Sequence, residues 1–389
     1  MGKIEVSSSS ASFCLLGSEI GGHMNTLLSV SGVIPSDLEA QVADGKRPQA
    51  DYVEMARQFG ADLVDFAKAR SLHPRLGPLI ERIGGPHLLL AWTCFRLSRR
   101  YDTVVTDGEQ IGLPLALLTR FSLRRRMRHL MIVHVLSVRK KVHLARTFRL
   151  TSQIDMLVVY SSWQKMFIER ELHVPAHKVV LSTFMVDTSF FSPDRVSPNP
   201  RNAVCSAGLE HRDYATLIDA TKALPIDVIV ASGSPWSKRP DLLRGRDIPA
   251  NVHVSTLTLF ELRQLYADCK FVVVPLSPVL FQAGVTTILE AMAMGKAVIC
   301  SKTPGQCDVI QHERTGLYVE PGDPEALRAA IERLIDDPEL TERLGAAGRA
   351  WVERADIQRY AAGLAKFVVQ APSPITGDAS QGQGTLCVE

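Results

Sequence analysis

The chain has 389 residues, more than one hydrophobic core usually organises, so two domains of roughly 150–200 residues are expected. At 46% hydrophobic and 22% charged it is composed as a globular protein, and its seven cysteines, odd in number and scattered without a C-x-x-C pair, argue against a disulfide framework or a zinc site and for a reducing compartment. The formal charge of +3 hides an imbalance: residues 1–200 carry +7, residues 201–389 carry −4, and 120–149 alone hold ten Lys or Arg and no Asp or Glu.

Residues 1–24 are Ser-rich and end in Gly21-Gly22-His23-Met24, so they are expected to be an extension or tag, with Met24 a candidate natural start. No uncharged apolar run approaches the ~18 residues that span a bilayer, and the start lacks a basic then apolar signal, so a cytoplasmic location is expected. Short apolar runs then alternate with amphipathic stretches, the pattern of strand–helix units building parallel sheets. Strands are predicted at 26–31, 62–66, 103–106, 129–135, 156–160 and 179–182, with helical patterns at 51–58, 88–99 and 163–172. Three prolines within 189–200 mark a linker. The pattern restarts with strands at 203–207, 227–231, 253–255, 271–275 and 297–301, and helices near 214–224, 259–269, 285–294, 325–336 and 338–353. Residues 373–389, rich in Gly, Ser and Gln, read as a disordered tail. The expected architecture is α/β: two doubly wound, Rossmann-like domains, 25–188 and 201–372, facing across a cleft, with ligands at the carboxyl ends of the strands.

The most informative segment is 271–294, where Glu290 is the one charge among 24 residues. A strand, loop and helix this apolar should be buried, and a carboxylate there is costly unless paired or hydrogen-bonded. With a helix starting near Val285, Thr286 and Thr287 precede Glu290 by four and three residues, so one polar strip is expected to look out of a buried helix. Gly284 lets a ligand approach the backbone, and the N–H groups at the helix start suit a phosphate. The plain alternative is a solvated Glu290 on an exposed helix edge.

This segment, with Gly295-Lys-Ala-Val-Ile299 and Gly316-Leu-Tyr-Val-Glu-Pro-Gly-Asp323, resembles the C-terminal domain of the family 4 retaining glycosyltransferases, the glycogen-synthase-like group with the GT-B fold. Their hallmark is Glu, seven residues, Glu, then Ala-Met-Ala. Glu290-Ala-Met-Ala293 matches the second Glu, which in the family holds the ribose of a nucleotide sugar, whereas the first position is Gln282, able to hydrogen-bond a sugar hydroxyl but not to carry charge. The family also grips the donor diphosphate with an Arg and a Lys after the first strand of this domain. In Gly208-Leu-Glu-His-Arg-Asp-Tyr214, Leu209 replaces the first and Arg212 matches the later basic position, with Lys238 a further candidate charge. In the N-terminal half, His134 matches by position a strand-end His that meets the donor sugar or acceptor, the alternative being a satisfied core histidine. Asp107 and Glu109 end the preceding strand and are candidates to receive an acceptor hydroxyl or to be simply solvated, and Gly32 follows the first strand where a backbone can approach a sugar or phosphate.

The resemblance implies a metal-independent, retaining hexosyltransferase using a nucleotide-diphospho-sugar, a UDP- or GDP-sugar, without a cofactor. Arg212, Lys238 and the amides of Gly284–Thr287 would stabilise the departing diphosphate. No acidic pair or His cluster calls for a metal. The alternatives are a nucleotide-sugar epimerase on the same fold and a catalytically silent GT-B-like binding protein, the latter motivated by Leu209 and Gln282. The basic stretch 120–149, with Phe148 and Leu150, is expected either to make peripheral contact with an anionic membrane, which favours a lipid-linked acceptor, or to be a solvated basic face. Nucleic acid is not an expected partner, because no aromatic stacking motif accompanies the charges. Dinucleotide and P-loop glycine fingerprints are both missing from the sequence.

Overall fold

The computed structural model describes residues 25–122, 127–231 and 248–369. The predicted extension, the tail, Lys238 and Arg124–Arg126 lie outside these residues.

Among the described residues, twelve strands form two six-stranded sheets, and every pairing between them is parallel. The first contains β1 (Thr26–Ser29), β2 (Ala61–Val64), β3 (Thr103–Asp107), β4 (Arg128–Ile132), β5 (Met156–Val159) and β6 (Val179–Leu181), in the order β2-β1-β3-β4-β5-β6. The second contains β7 (Ala203–Ala207), β8 (Asp227–Ala231), β9 (Val252–Ser255), β10 (Val272–Val274), β11 (Val298–Ser301) and β12 (Leu317–Val319), in the order β12-β11-β10-β7-β8-β9. Central strands such as Val272-Val273-Val274 are buried on both faces, as helix-covered parallel sheets require, and their β-branched side chains suit that setting. Strand order reverses between β1 and β3 in one sheet and between β7 and β10 in the other. Such reversals open a crevice at the carboxyl ends of the strands.

Local chemistry sets the helix limits. Thr258 and Glu261 close a capping box at the start of Leu259–Asp268, and Asp323 and Asp337 cap helices that begin at Pro324 and Pro338. The helix Gly77–Leu97 starts eleven residues earlier than the apolar periodicity suggests and is kinked, because Gly85 adopts φ 73° and Pro86 has no N–H to give.

Two expectations about domain limits are corrected. The linker 189–200 is no free tether: Phe190 and Phe191 are buried in the C-terminal core. The C-terminal domain does not run to 372 as one body either. Its last described helix, Ile357–Val369, returns to the N-terminal domain, where Ile357, Tyr360, Ala361, Leu364 and Val368 pack with Met55 and Phe59 of the helix Asp51–Phe59. Burial of Ile357, Leu364 and Val368 contributes about 1.5–3 kcal/mol each, which holds the helix against this domain. The chain crosses between domains twice, side by side: Val186 N donates to Ala355 O and Ile357 N to Val186 O, both at 3.0 Å. The carboxyl ends of the sheets meet where Ser162 N, just after β5, donates to Asp308 Oδ2 at 2.9 Å.

Candidate functional site

At the switch point between β7 and β10, the loop after β7 meets the start of the helix Val285–Ala293. Gly208, at φ 96°, turns the chain out of β7, and the Arg212 guanidinium lies so close that a Cβ on Gly208 would sit 2.6 Å from Nη2. Arg212 is only 8% exposed. Its Nε donates to Ala207 O (2.8 Å), Nη1 to Glu210 O (3.0 Å) and Nη2 to Thr287 Oγ1 (3.0 Å). A guanidinium has five N–H groups, so it can fasten the loop to the helix and still donate to an anion.

The helix start is built for close approach. Gly284 caps it at φ 77° with no side-chain hydrogen bond, and a Cβ there would lie 2.8 Å from Val274 Cγ1 and 3.4 Å from Arg212 Nη1. Two residues earlier, both the Nε2 and Oε1 of Gln282 are buried without a hydrogen-bond partner. An orphaned amide costs about 1–3 kcal/mol per group, so Gln282 has donor and acceptor capacity unused by the fold next to the helix start.

The expected outward polar strip is not what forms. Thr286 is exposed, whereas Thr287 and Glu290 face inward at 5% and 6% exposure. Thr287 serves Arg212, and Glu290 Oε2 accepts from the Tyr266 hydroxyl at 2.9 Å. Burial raises the Glu290 carboxyl to about 7, against the Tyr266 hydrogen bond and the Arg212 charge, which both lower it. The solvated-Glu alternative is thereby overturned as well.

At the other switch point, Asp107 ends β3 beside β1: its N–H donates to Ser29 Oγ, and Ser31 Oγ donates to its carbonyl at 2.6 Å. His134, two residues past β4, is 38% exposed at its side chain, with Nε2 3.0 Å from Asp107 Oδ1. Burial lowers the imidazole, but the Asp107 hydrogen bond and charge, with Glu109 and Asp51, outweigh it and leave it above the ordinary histidine value. Asp51, in the first turn of Asp51–Phe59, is raised to about 6, chiefly by burial and then by the Asp107 charge. Glu109 is not the acceptor-facing group that the sequence suggests. Its side chain is fully buried and accepts from His134 N (3.0 Å), Val135 N (3.2 Å) and Lys141 Nζ (2.6 Å), so it holds the loop that carries His134. Lys141 charge keeps it ionised and below the usual range despite burial, which acts the other way. Gly32 follows β1 as expected, though its own N–H is taken by Val30 O at 2.8 Å.

The structure therefore groups Arg212, Gln282, Gly284, Val285, Thr287 and Glu290 at one switch point and Gly32, Asp107 and His134 at the other. Sequence reasoning missed Asp51 and Tyr266. Asp51 opens a helix in a segment without a motif, and Tyr266 lies on a helix 24 residues before the carboxylate it meets. Tyr160 and Tyr360 were also unmarked; their hydroxyls are 2.7 Å apart, joining the carboxyl end of β5 to the returning helix 200 residues later.

Residues 197–351 match the family model described as Glycosyl transferases group 1. The chain is 48% identical over 59 residues (15% of this chain, 17% of the relative) to the lipopolysaccharide core biosynthesis glycosyltransferase LpsD of Rhizobium meliloti. It is 26% identical over 209 residues, 52% of this chain and 50% of the relative, to the MMP alpha-(1->4)-mannosyltransferase of Mycolicibacterium hassiacum. The matches thus span at most half the length of these curated relatives. Among solved structures, HepE of Anabaena in complex with UDP-glucose superposes with a TM-score of 0.68 at 16% identity, covering 89% of this chain and 99% of that one. The fold is GT-B, with two parallel-sheet α/β domains.

Proposed function

We propose that the protein is a glycosyltransferase that moves a hexosyl group from a nucleotide-diphospho-sugar to an acceptor hydroxyl. The observation that carries this reading is the unpartnered Gln282 amide beside the Gly284-capped helix start and the Arg212 guanidinium, all at the β7/β10 switch point. Such a site offers amides and a cation to a diphosphate and an amide to a sugar hydroxyl. The family match over 197–351 supports the reaction class, and the UDP-glucose complex of HepE supports a UDP-sugar as the first donor to test.

In the reaction, the bond between the anomeric carbon and the diphosphate oxygen breaks, a bond to the acceptor oxygen forms, and the acceptor proton leaves. Arg212 and the N–H groups of Val285 and Thr286 stabilise the charge that grows on the diphosphate, and Glu290 is the group assigned to the ribose. His134, fixed by Asp107 through its ring and by Glu109 through its backbone, meets the transferred sugar or the acceptor. Lys238 remains a candidate second cation. Retention of configuration rests on the resemblance around Glu290. Because Arg212 supplies a built-in cation for the diphosphate, turnover is expected to persist in a chelator.

The acceptor is assigned as lipid-linked, at the cytoplasmic face of a membrane met through 120–149. The ten cations of that stretch and the lipopolysaccharide relative support this. The test is isothermal titration with UDP, GDP and ADP. Binding of at least one, weakened by Glu290→Gln, is the expected result, and binding of none overturns the reading. Leu209 and Gln282 favour a silent binding protein as the second reading. Binding without turnover over a broad donor and acceptor panel, unchanged after Leu209→Arg with Gln282→Glu, would establish it.

A further inference from the structure

An apolar groove opens on the N-terminal domain, far from either switch point. It is lined by Phe95, Leu117, Leu118, Phe121, Ser122 and Phe148 and holds about 540 Å³. Phe121 is 72% exposed and Phe148 36%, and their rings meet edge to face with centroids 6.3 Å apart. Exposed aromatic rings beside an open apolar groove are unusual on a water-facing surface. The lining residues all belong to segments that run into strands: Phe95 precedes β3, Leu117 to Ser122 precede β4, and Phe148 precedes β5. The groove is therefore at the amino ends of these strands, whereas Asp107 and His134 are at the carboxyl ends. The helix Glu109–Arg120, twelve residues and so about 18 Å long, separates the two edges.

Charge identifies the occupant. Arg120 and Arg149 directly adjoin Phe121 and Phe148 in the chain, at the same amino edge of the sheet, and both are exposed. No Asp or Glu occurs between 120 and 149. A groove for hydrocarbon rimmed by cations matches a molecule with an apolar tail and an anionic head.

We propose that this groove takes an acyl chain of an anionic phospholipid from a bilayer, with the headgroup against Arg120 and Arg149. It is a docking site distinct from the acceptor site, since it opens at the opposite edge of the sheet, and it does not depend on the transferase reading. A lipid bound there holds the domain at the membrane while the crevice stays free for donor and acceptor.

A competing surface exists: Leu72 at the end of the helix Phe66–Leu72, Leu76 in the turn after it, and Leu79 and Ile83 before the Gly85 kink expose 45–74% of their area, near Arg75 and Arg82 in the chain. That face includes the Arg70–Glu81 ion pair, which puts a carboxylate where an anionic head would have to sit. The test sets the two against each other. The full chain is mixed with vesicles of phosphatidylcholine alone, or of phosphatidylcholine with phosphatidylglycerol, and sedimented. Binding to the mixed vesicles only, lost at high salt and lowered at least about ten-fold by Phe121→Ser but not by Ile83→Ser, is the expected outcome. Phe121 is exposed enough that its removal should leave UDP titration unchanged, which controls for folding. Phosphatidylglycerol brominated on its acyl chains should quench Trp92, whose ring centroid is 5.9 Å from that of Phe95, with Trp92→Phe identifying the signal. Binding that depends on Ile83 instead, binding unaffected by Phe121→Ser, or displacement by inorganic phosphate without bromine quenching would each overturn the proposal.

Discussion

The His134 imidazole and the Asp107 carboxylate are 3.0 Å apart because β3 and β4 pair with Asp107 opposite Ile132, so a residue two places beyond Ile132 turns back over the end of β3. Asp51 adds a second carboxylate near the first, and its own charge is disfavoured by burial and by Asp107. The result is an imidazole whose pKa is raised, against burial, by Asp107 first and then by Glu109 and Asp51. Asp107→Asn keeps the shape and removes the charge, so the His134 titration should move to lower pH. Nuclear magnetic resonance of the imidazole through a pH series measures it. An unmoved titration would mean that the ion pair is not formed in solution. The proposed transfer reaction should lose its dependence on that same titration in His134→Gln.

Arg212 joins two loops and so has two effects when removed. Arg212→Ala removes the hydrogen bonds to Ala207 O, Glu210 O and Thr287 Oγ1, costing about 1–3 kcal/mol of stability, and also removes the cation assigned to the diphosphate. Thr287→Val removes two hydrogen bonds, the one accepted from Arg212 and the one donated to Ala207 O, while filling the same space, at about 1–2 kcal/mol. If Arg212 acts only as a fastener, both variants should bind UDP in proportion to their stability. The expected result is a loss of UDP affinity for Arg212→Ala well beyond that proportion, seen by titration at a temperature where both remain folded.

The two-domain architecture was readable because parallel strands buried on both faces appear as runs such as Val272-Val273-Val274, and the restart of the pattern after Pro200 marks a second sheet. What escaped the sequence depends on contacts between distant segments. Ile357–Val369 carries a regular apolar stripe, yet nothing local says that it covers Met55 and Phe59 of the other domain. Glu109 shows the same limit at the site. A carboxylate after a strand in Asp107-Gly108-Glu109 has the look of a cleft residue, and only the placement of Lys141 and the His134 backbone turns it inward. The spacing of Thr286, Thr287 and Glu290 predicts an outward polar strip, but Glu290 is turned inward to Tyr266, which lies on another helix.

Glu290 and Asp51 make the fold sensitive to pH in a stated direction. Both carboxyls have a higher value in the folded chain, about 7 and about 6, than when unfolded. Each therefore contributes stability that is fully present below its unfolded value, near 4, and is lost as pH rises through the folded one. The denaturant midpoint should fall between pH 4 and 8. Glu290→Gln, which can still accept from Tyr266, should flatten the upper part of this fall. An identical slope in the variant would show that Glu290 is already ionised at acid pH.

Gln282 gives the sharpest separation of stability from function. Its amide nitrogen and oxygen are both buried and unpaired, so the empty protein bears their desolvation while gaining no hydrogen bond. Gln282→Ala removes that cost at the price of a small void, so the unliganded protein should be as stable as the parent or up to about 1–2 kcal/mol more stable. If the amide exists to meet a sugar hydroxyl, the same variant should bind the whole donor at least about ten-fold more weakly, a loss of roughly 1.4 kcal/mol, and bind the nucleotide diphosphate alone unchanged. Gln282→Glu should restore donor binding, since a carboxylate accepts from the same hydroxyl, while lowering the stability of the empty protein because a charge is now buried there. Thermal unfolding with and without UDP-glucose and UDP reads all of these shifts together. A Gln282→Ala variant that is destabilised yet binds donor normally would make Gln282 an ordinary packing residue and remove the sugar from this part of the crevice.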